Sequence, residues 1–192
     1  MPGVDRADLD EAFTGVGGEL EHISLFGRMT QAAWWTGVLA GDGPGSRATM
    51  IGAGGAESIA GEPEPAGGYG EVLEWLFATD PAAERAGLLS ELARSVGADE
   101  VHPGLGLLTA TGRLESPWLT GFRVLDRLPW RVDRVREAVA SHGGGVVEVK
   151  TRGGAVDPDR AQLELRGPGE RTLTVFVLRF GTKIEAIITE RA

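Results

Sequence analysis

Hydrophobic and polar positions along the chain fall into blocks with different periods, and each block predicts an element. Residues 19–36 hold two apolar-rich extended runs around Gly27 and Arg28, the pattern of an antiparallel hairpin, which sends Trp34 and Trp35 to opposite faces. A second pair of short runs, residues 48–51 and 57–60, is joined by Gly52-Ala53-Gly54-Gly55-Ala56 and predicts another hairpin. The stretch from Gly61 to Gly70 is rich in Pro, Gly and Glu, which marks a loop and a boundary.

Asp80 before Pro81 has the form of a helix cap followed by the residue best tolerated at the first helical position. Leu88, Leu89, Leu92 and Val96 continue at helical spacing, so one helix is expected from Pro81 to a stop at Gly97. Residues 101–111 and 120–128 read as extended, punctuated by Pro117 and Pro129. Val132, Val135 and Val139 line one face of a further helix that ends at His142-Gly143-Gly144-Gly145. Residues 146–151 alternate as a strand, Arg152 to Val156 turn, and Asp157-Pro158 opens a short helix. Residues 172–180 are apolar on both faces, as a central strand requires. Gly181-Thr182 then turns the chain into a last strand over residues 183–189. The order helix, strand, helix, strand, strand predicts a small α/β sandwich behind an antiparallel-rich N-terminal part, an α/β (α+β) fold.

Composition narrows the chemistry. The 192 residues contain no cysteine, which removes disulfides, thiolate-bound metals and thiol nucleophiles. No basic-then-apolar leader opens the chain and no run approaches the roughly 18 apolar residues of a membrane span, so a cytoplasmic location without membrane contact is expected. The net charge of −9 is uneven: residues 1–110 hold 5 Lys and Arg against 17 Asp and Glu, whereas residues 111–192 hold 14 against 11. An acidic whole argues against strong non-specific nucleic-acid binding, and a weakly basic C-terminal part leaves room for a local site.

Most patterns that could carry catalysis fail on inspection. Gly52 and Gly54 give G-x-G, but Glu57 falls where a small residue is needed and no helix pattern follows, so a turn is expected rather than a cofactor loop. Gly15, Gly17 and Gly18 lack a preceding strand. His22, His102 and His142 are too scattered to predict a metal site, and no serine sits in a nucleophile elbow. Glu19 and Glu21 share a strand face, which suits either acid-base work or a polar sheet surface. Asp5, Asp8, Asp10 and Glu11 read as a solvated acidic run. Lys150, Arg152, Arg160, Arg166 and Arg171 hold the most promise. With the capped helix after Asp157, Lys150 and Arg152 could face one anionic group, and an ordinary salt-bridged turn is the alternative.

At this point the chain resembles the actinobacterial class I methyltransferases that end in a THUMP-like domain. The matching strings are EVKTRGGAVDPD (residues 148–159), LELRGPG (163–169) and TLTVFVLRFGTKIEAIITER (172–191). DPAAERAGLLSEL (80–92) and SPWLTGFRVLDRLPW (116–130) resemble the segment before that tail, and ELEHISLFGRMTQAAWWTG (19–37) the end of the methyltransferase sheet. The resemblance implies three parts: a remnant of the methyltransferase sheet (1–62), a connecting α/β segment (63–130) and a THUMP-like α/β sandwich (131–192).

It further implies a non-catalytic, substrate-recognition region, with no cofactor in this chain and S-adenosylmethionine in the parent family. RNA, tRNA-like, is the implied partner, bound through Lys150, Arg152, Arg160, Arg166 and Arg171. The methyltransferase domain itself is expected to be missing, either cut away or lost by the gene. The sheet remnant would then carry an unpaired edge, which a homodimer could cover. A protein-interaction module using Trp34, Trp35 or Trp75 is the other expectation.

Overall fold

The computed structural model describes residues 17–40, 45–64 and 70–192. The acidic run at Asp5, Asp8, Asp10 and Glu11, the glycine Gly15 and the middle of the loop between Gly61 and Gly70 lie outside the described residues.

Two sheets carry the chain. The first is four-stranded, in the order β2-β1-β3-β4, with β1 (Gly18–Leu25), β2 (Arg28–Thr36), β3 (Gly45–Gly52) and β4 (Gly55–Gly61). Both expected hairpins are present, and they are joined side by side by parallel pairing of β1 with β3. The first turn sits at Phe26 and Gly27, one residue earlier than expected, and Phe26 adopts a left-handed conformation with φ of 48°.

The second sheet is seven-stranded, in the order β6-β7-β5-β8-β11-β10-β9. It comprises β5 (Trp75–Thr79), β6 (Asp99–Glu100), β7 (Leu107–Ala110), β8 (Leu119–Pro129), β9 (Gly144–Arg152), β10 (Arg171–Phe180) and β11 (Lys183–Arg191). This one sheet takes β5 to β8 from before the boundary expected at residue 130 and β9 to β11 from after it.

Four helices complete the described fold: α1 (Pro81–Arg85), α2 (Leu89–Val96), α3 (Val132–Ser141) and α4 (Pro158–Glu164). The single helix expected from Pro81 to Gly97 is in fact two. Gly87, at φ of 71°, breaks it, and its Cα lies against Pro63, where a side chain would collide. The expected caps form at both aspartates: Asp80 accepts from the Ala82 amide at 2.9 Å and Asp157 from the Arg160 amide at 3.1 Å. Residues 101–106, expected to be extended, are a loop between β6 and β7.

Period-two alternation explains how the large sheet supports two cores. On β10, Leu173, Val175 and Val177 point with Val147, Val149 and Ile188 towards α3 and α4, and bury Val135, Val139, Ala161 and Leu165. The intervening Phe176 and Leu178 join Leu76, Phe122 and Ile187 on the other face, under the loop residues Val101 and Leu105. Burial on both faces is why this segment reads as continuously apolar. A third cluster ties the small sheet to the rest, with Ala48 buried against Phe77, α1 and α2, and Met50 and Ile59 packed alongside.

One backbone contact shapes the last third of the molecule. The segment entering β9 runs against the segment entering β10, with the Gly167 amide donating to the Gly145 carbonyl and the Gly169 amide to the Gly144 carbonyl, both at 3.1 Å. A Cβ on Gly145 would overlap the Gly169 carbonyl oxygen, and one on Gly169 would overlap that of Gly143. Only glycine permits this approach.

Candidate nucleic-acid interface

The five basic residues singled out from the sequence sit on β9, around α4 and at the start of β10, and the fold does not gather them into one cluster. Lys150 and Arg152 lie two apart on β9 and so share a face, opposite to the one on which Val147 and Val149 meet α4. The amino end of α4 therefore lies across the sheet from Lys150 and Arg152. The anion pocket expected between them is not formed, because strand alternation separates its parts. The capping amide of Arg160 is moreover already bonded to Asp157.

Arg171 pairs in register with Gly144, and Leu178 with Arg152. Arg171 thus stands at the opposite end of β9, roughly 25 Å from Arg152 at about 3.3 Å per residue. Its guanidinium donates to the His142 carbonyl at 2.9 Å and pairs with Glu190 at 2.6 Å. Lys150 pairs with Glu148 at 2.7 Å, and Arg160 with Glu164 at 2.9 Å, which holds the Arg160 guanidinium above its usual pKa. Arg166 is exposed and makes no ion pair among the described residues.

Arg152 has a different setting. Its Nε donates to the Leu105 carbonyl and Nη1 to the Thr151 carbonyl, each at 3.1 Å, so the side chain is held in place by neutral groups and has no carboxylate partner among the described residues. Arg179 does the same on the neighbouring strand, donating from Nε to Gly153 and from Nη2 to Gly154, both at 3.1 Å. The turn between them runs through Gly153 and Gly154, at φ of 67° and 60°. Lys183 stands opposite Phe180 at the same end of the sheet, and His102 packs edge-on to Phe180 with ring centroids 5.6 Å apart. At this end of the sheet Lys150, Arg152 and Lys183 start from the face of Phe176 and Phe180, and Arg179 from the opposite face, with Val175 and Val177. Sequence reasoning missed Arg179 and Lys183 because it followed the motif rather than the register, although the hairpin at Gly181 already brings both to one end of the sheet.

The other candidates resolve locally. Glu19 and Glu21 are buried: Glu19 pairs with Arg47 at 2.9 Å, while Glu21 accepts from the Trp35 indole at 2.7 Å and from the Thr49 hydroxyl. Both carboxylates act as structural acceptors. Trp35 is thereby tied down, and Trp34, Trp35 and Trp75 are all half-buried. Gly52 faces Gly55 in the β3–β4 hairpin and a strand follows, so this glycine stretch offers a cofactor neither a helix start nor a cradle.

Comparison with known proteins places these features. Residues 119–191, from β8 to the end of β11, match the family described as THUMP domain-like. The chain is 34% identical over 181 residues to an uncharacterised S-adenosylmethionine-dependent methyltransferase found in two strains of Mycobacterium tuberculosis, covering 94% of this chain and 49% of each relative. A crystal structure from Porphyromonas gingivalis W83, described as a "putative methyltransferase", shares the fold with a TM-score of 0.74 at 12% identity, over 95% of this chain and 48% of that one. The chain spans about half the length of the curated relatives it matches.

Proposed function

We propose that this chain, with its THUMP domain-like segment, is the non-catalytic substrate-recognition region of an S-adenosylmethionine-dependent methyltransferase, and that it holds a tRNA-like RNA. Methyl transfer belongs in this reading to a separate domain that binds the cofactor. The observation that carries it is electrostatic: the THUMP-like segment lies in the C-terminal part of the chain, where cations exceed anions, and there Arg152 and Arg179 are fixed by carbonyls without a carboxylate partner among the described residues. Guanidinium groups held in this way lose little freedom when they meet a phosphate. Lys150 and Lys183 extend the same end of the sheet. Arg160, Arg166 and Arg171, spread over α4 and the far end, would contact a longer backbone.

Fluorescence anisotropy with bulk tRNA tests the reading. Binding should weaken as salt rises, and Lys150→Ala with Arg152→Ala should lower affinity by roughly tenfold and flatten the salt slope by about two counterions. Wild-type binding by the double variant would remove these residues from the site, and no tRNA binding at low salt would end the RNA reading. The protein-interaction alternative is favoured by a different feature, the exposed apolar side chains of Phe26, Val38 and Leu39 at the rim of the small sheet.

A further inference from the structure

A cavity of about 320 Å³ opens where α4 meets the start of α3. Asp157, Arg160 and Glu164, which recur at helical spacing along α4, form its polar rim. Trp130, Val132 and Val156 supply apolar walls. All three pack, partly buried, against the core under α3 and α4, and the Trp130 amide donates to the Ile184 carbonyl at 2.9 Å, so the walls are fixed. The volume is at the lower end of the range of ligand pockets, enough for a small molecule or one inserted side chain.

The rim is richer in acceptors than in donors. Arg160 is already engaged: its Nε donates to Glu164 Oε1 at 2.9 Å and its amide to Asp157 Oδ1 at 3.1 Å. The second oxygen of each carboxylate has no hydrogen bond among the described residues. Two carboxylates against one guanidinium leave the lining with a formal charge of −1, and the neighbouring cations Arg131 and Arg179 are not part of it. A ligand suited to these groups brings positive charge, several donors and an apolar stem.

We propose that this cavity binds an alkylguanidinium group, carried by an arginine side chain of a protein partner or by a free small molecule. The flat face of a guanidinium stacks on the Trp130 indole, and its fork of N–H groups matches the oxygens of Asp157 and Glu164. An ammonium is a point charge that keeps its water more strongly and has no flat face to stack. An anion meets like charge at both carboxylates. The cavity lies on the α4 side of the large sheet, across from Lys150 and Arg152, so the proposal does not depend on RNA binding.

Isothermal titration of the purified chain with methylguanidine and with end-blocked arginine tests the site. Both should bind saturably, and end-blocked lysine roughly threefold more weakly or worse. Glu164→Gln should weaken binding roughly fivefold, and so should Asp157→Asn, which still caps α4. Trp130→Ala should cost more affinity than Trp130→Phe, and Lys150→Ala with Arg152→Ala should change nothing. Tighter binding of end-blocked arginine than of methylguanidine assigns the site to a protein side chain, and the reverse order to a free small molecule. No binding of either probe overturns the proposal, as does wild-type affinity in both carboxylate variants. Equal affinity for end-blocked lysine, or a preference for inorganic phosphate, overturns it too.

Discussion

The two sheets of this molecule differ less in size than in how far their groups are satisfied. The seven-stranded sheet buries apolar side chains on both faces, and its edges are short or charged. The four-stranded sheet buries one polar face whose carboxylates are answered by Arg47, Trp35 and Thr49, but on its other face His22 Nδ1 and Ser24 Oγ are buried without a hydrogen-bond partner among the described residues, as Thr151 Oγ1 is in the large sheet. Its outer strand also ends in exposed apolar groups. The lesson is that stability and association are assigned to different layers: substitutions in the large sheet should act on folding, and those at the rim of the small sheet on what it meets.

The largest expected effect is at the centre of the large sheet. Phe176 is fully buried and meets Phe122 edge-on at 4.9 Å, so Phe176→Ala should cost about 3–5 kcal/mol in urea unfolding. Equal destabilisation by Met29→Ala in β2 would break the comparison. Next comes the glycine contact. Gly145→Ala places a methyl group in the Gly169 carbonyl and should cost about 1–3 kcal/mol or more, whereas Gly54→Ala, in open space at the β3–β4 turn, should be close to neutral by the same assay.

A smaller effect depends on pH. Burial, with Arg85 nearby, lowers the pKa of His22 from its ordinary 6.5. The unfolded chain then takes up a proton before the folded one does, so the contribution of neutral His22 is present above pH 6.5 and is lost as pH falls below it. Melting temperature should fall between pH 7.5 and 5.5, and His22→Gln should flatten that slope. The smallest effect is expected at the rim, where Phe26→Asp should change stability by less than about 0.5 kcal/mol in the same unfolding assay. A large loss there would mean that the edge supports the fold itself.

Much of this fold was legible in the sequence, for a local reason. Asp80-Pro81 and Asp157-Pro158 announce their caps, Gly181 its hairpin, and the doubly apolar run at residues 172–180 its central place. The break at Gly87 was not legible, because helical spacing of Leu88, Leu89 and Leu92 continues across it. At the break Gly87 takes a positive φ and packs beside Pro63, a residue distant in sequence. Parallel pairing of β1 with β3 was equally hidden, since register between strands that are not neighbours leaves no periodic trace. The candidate site shows the same division. Lys150 and Arg152 were visible as a motif, but their separation from α4 and the face they share with Lys183 are properties of the sheet.

The glycine contact also bears on the order in which the molecule assembles. Gly145 and Gly169 are only about 24 residues apart, so bringing them together closes a short loop at modest entropic cost, whereas β5 must find β8 across 40 residues or more. The unit of β9, α4 and β10 can thus form from nearby parts of the chain and offer β10 as a ready edge for β11. Assembly would then proceed from the C-terminal end of the large sheet towards β6, and hydrogen exchange under native conditions should find the slowest amides on β10.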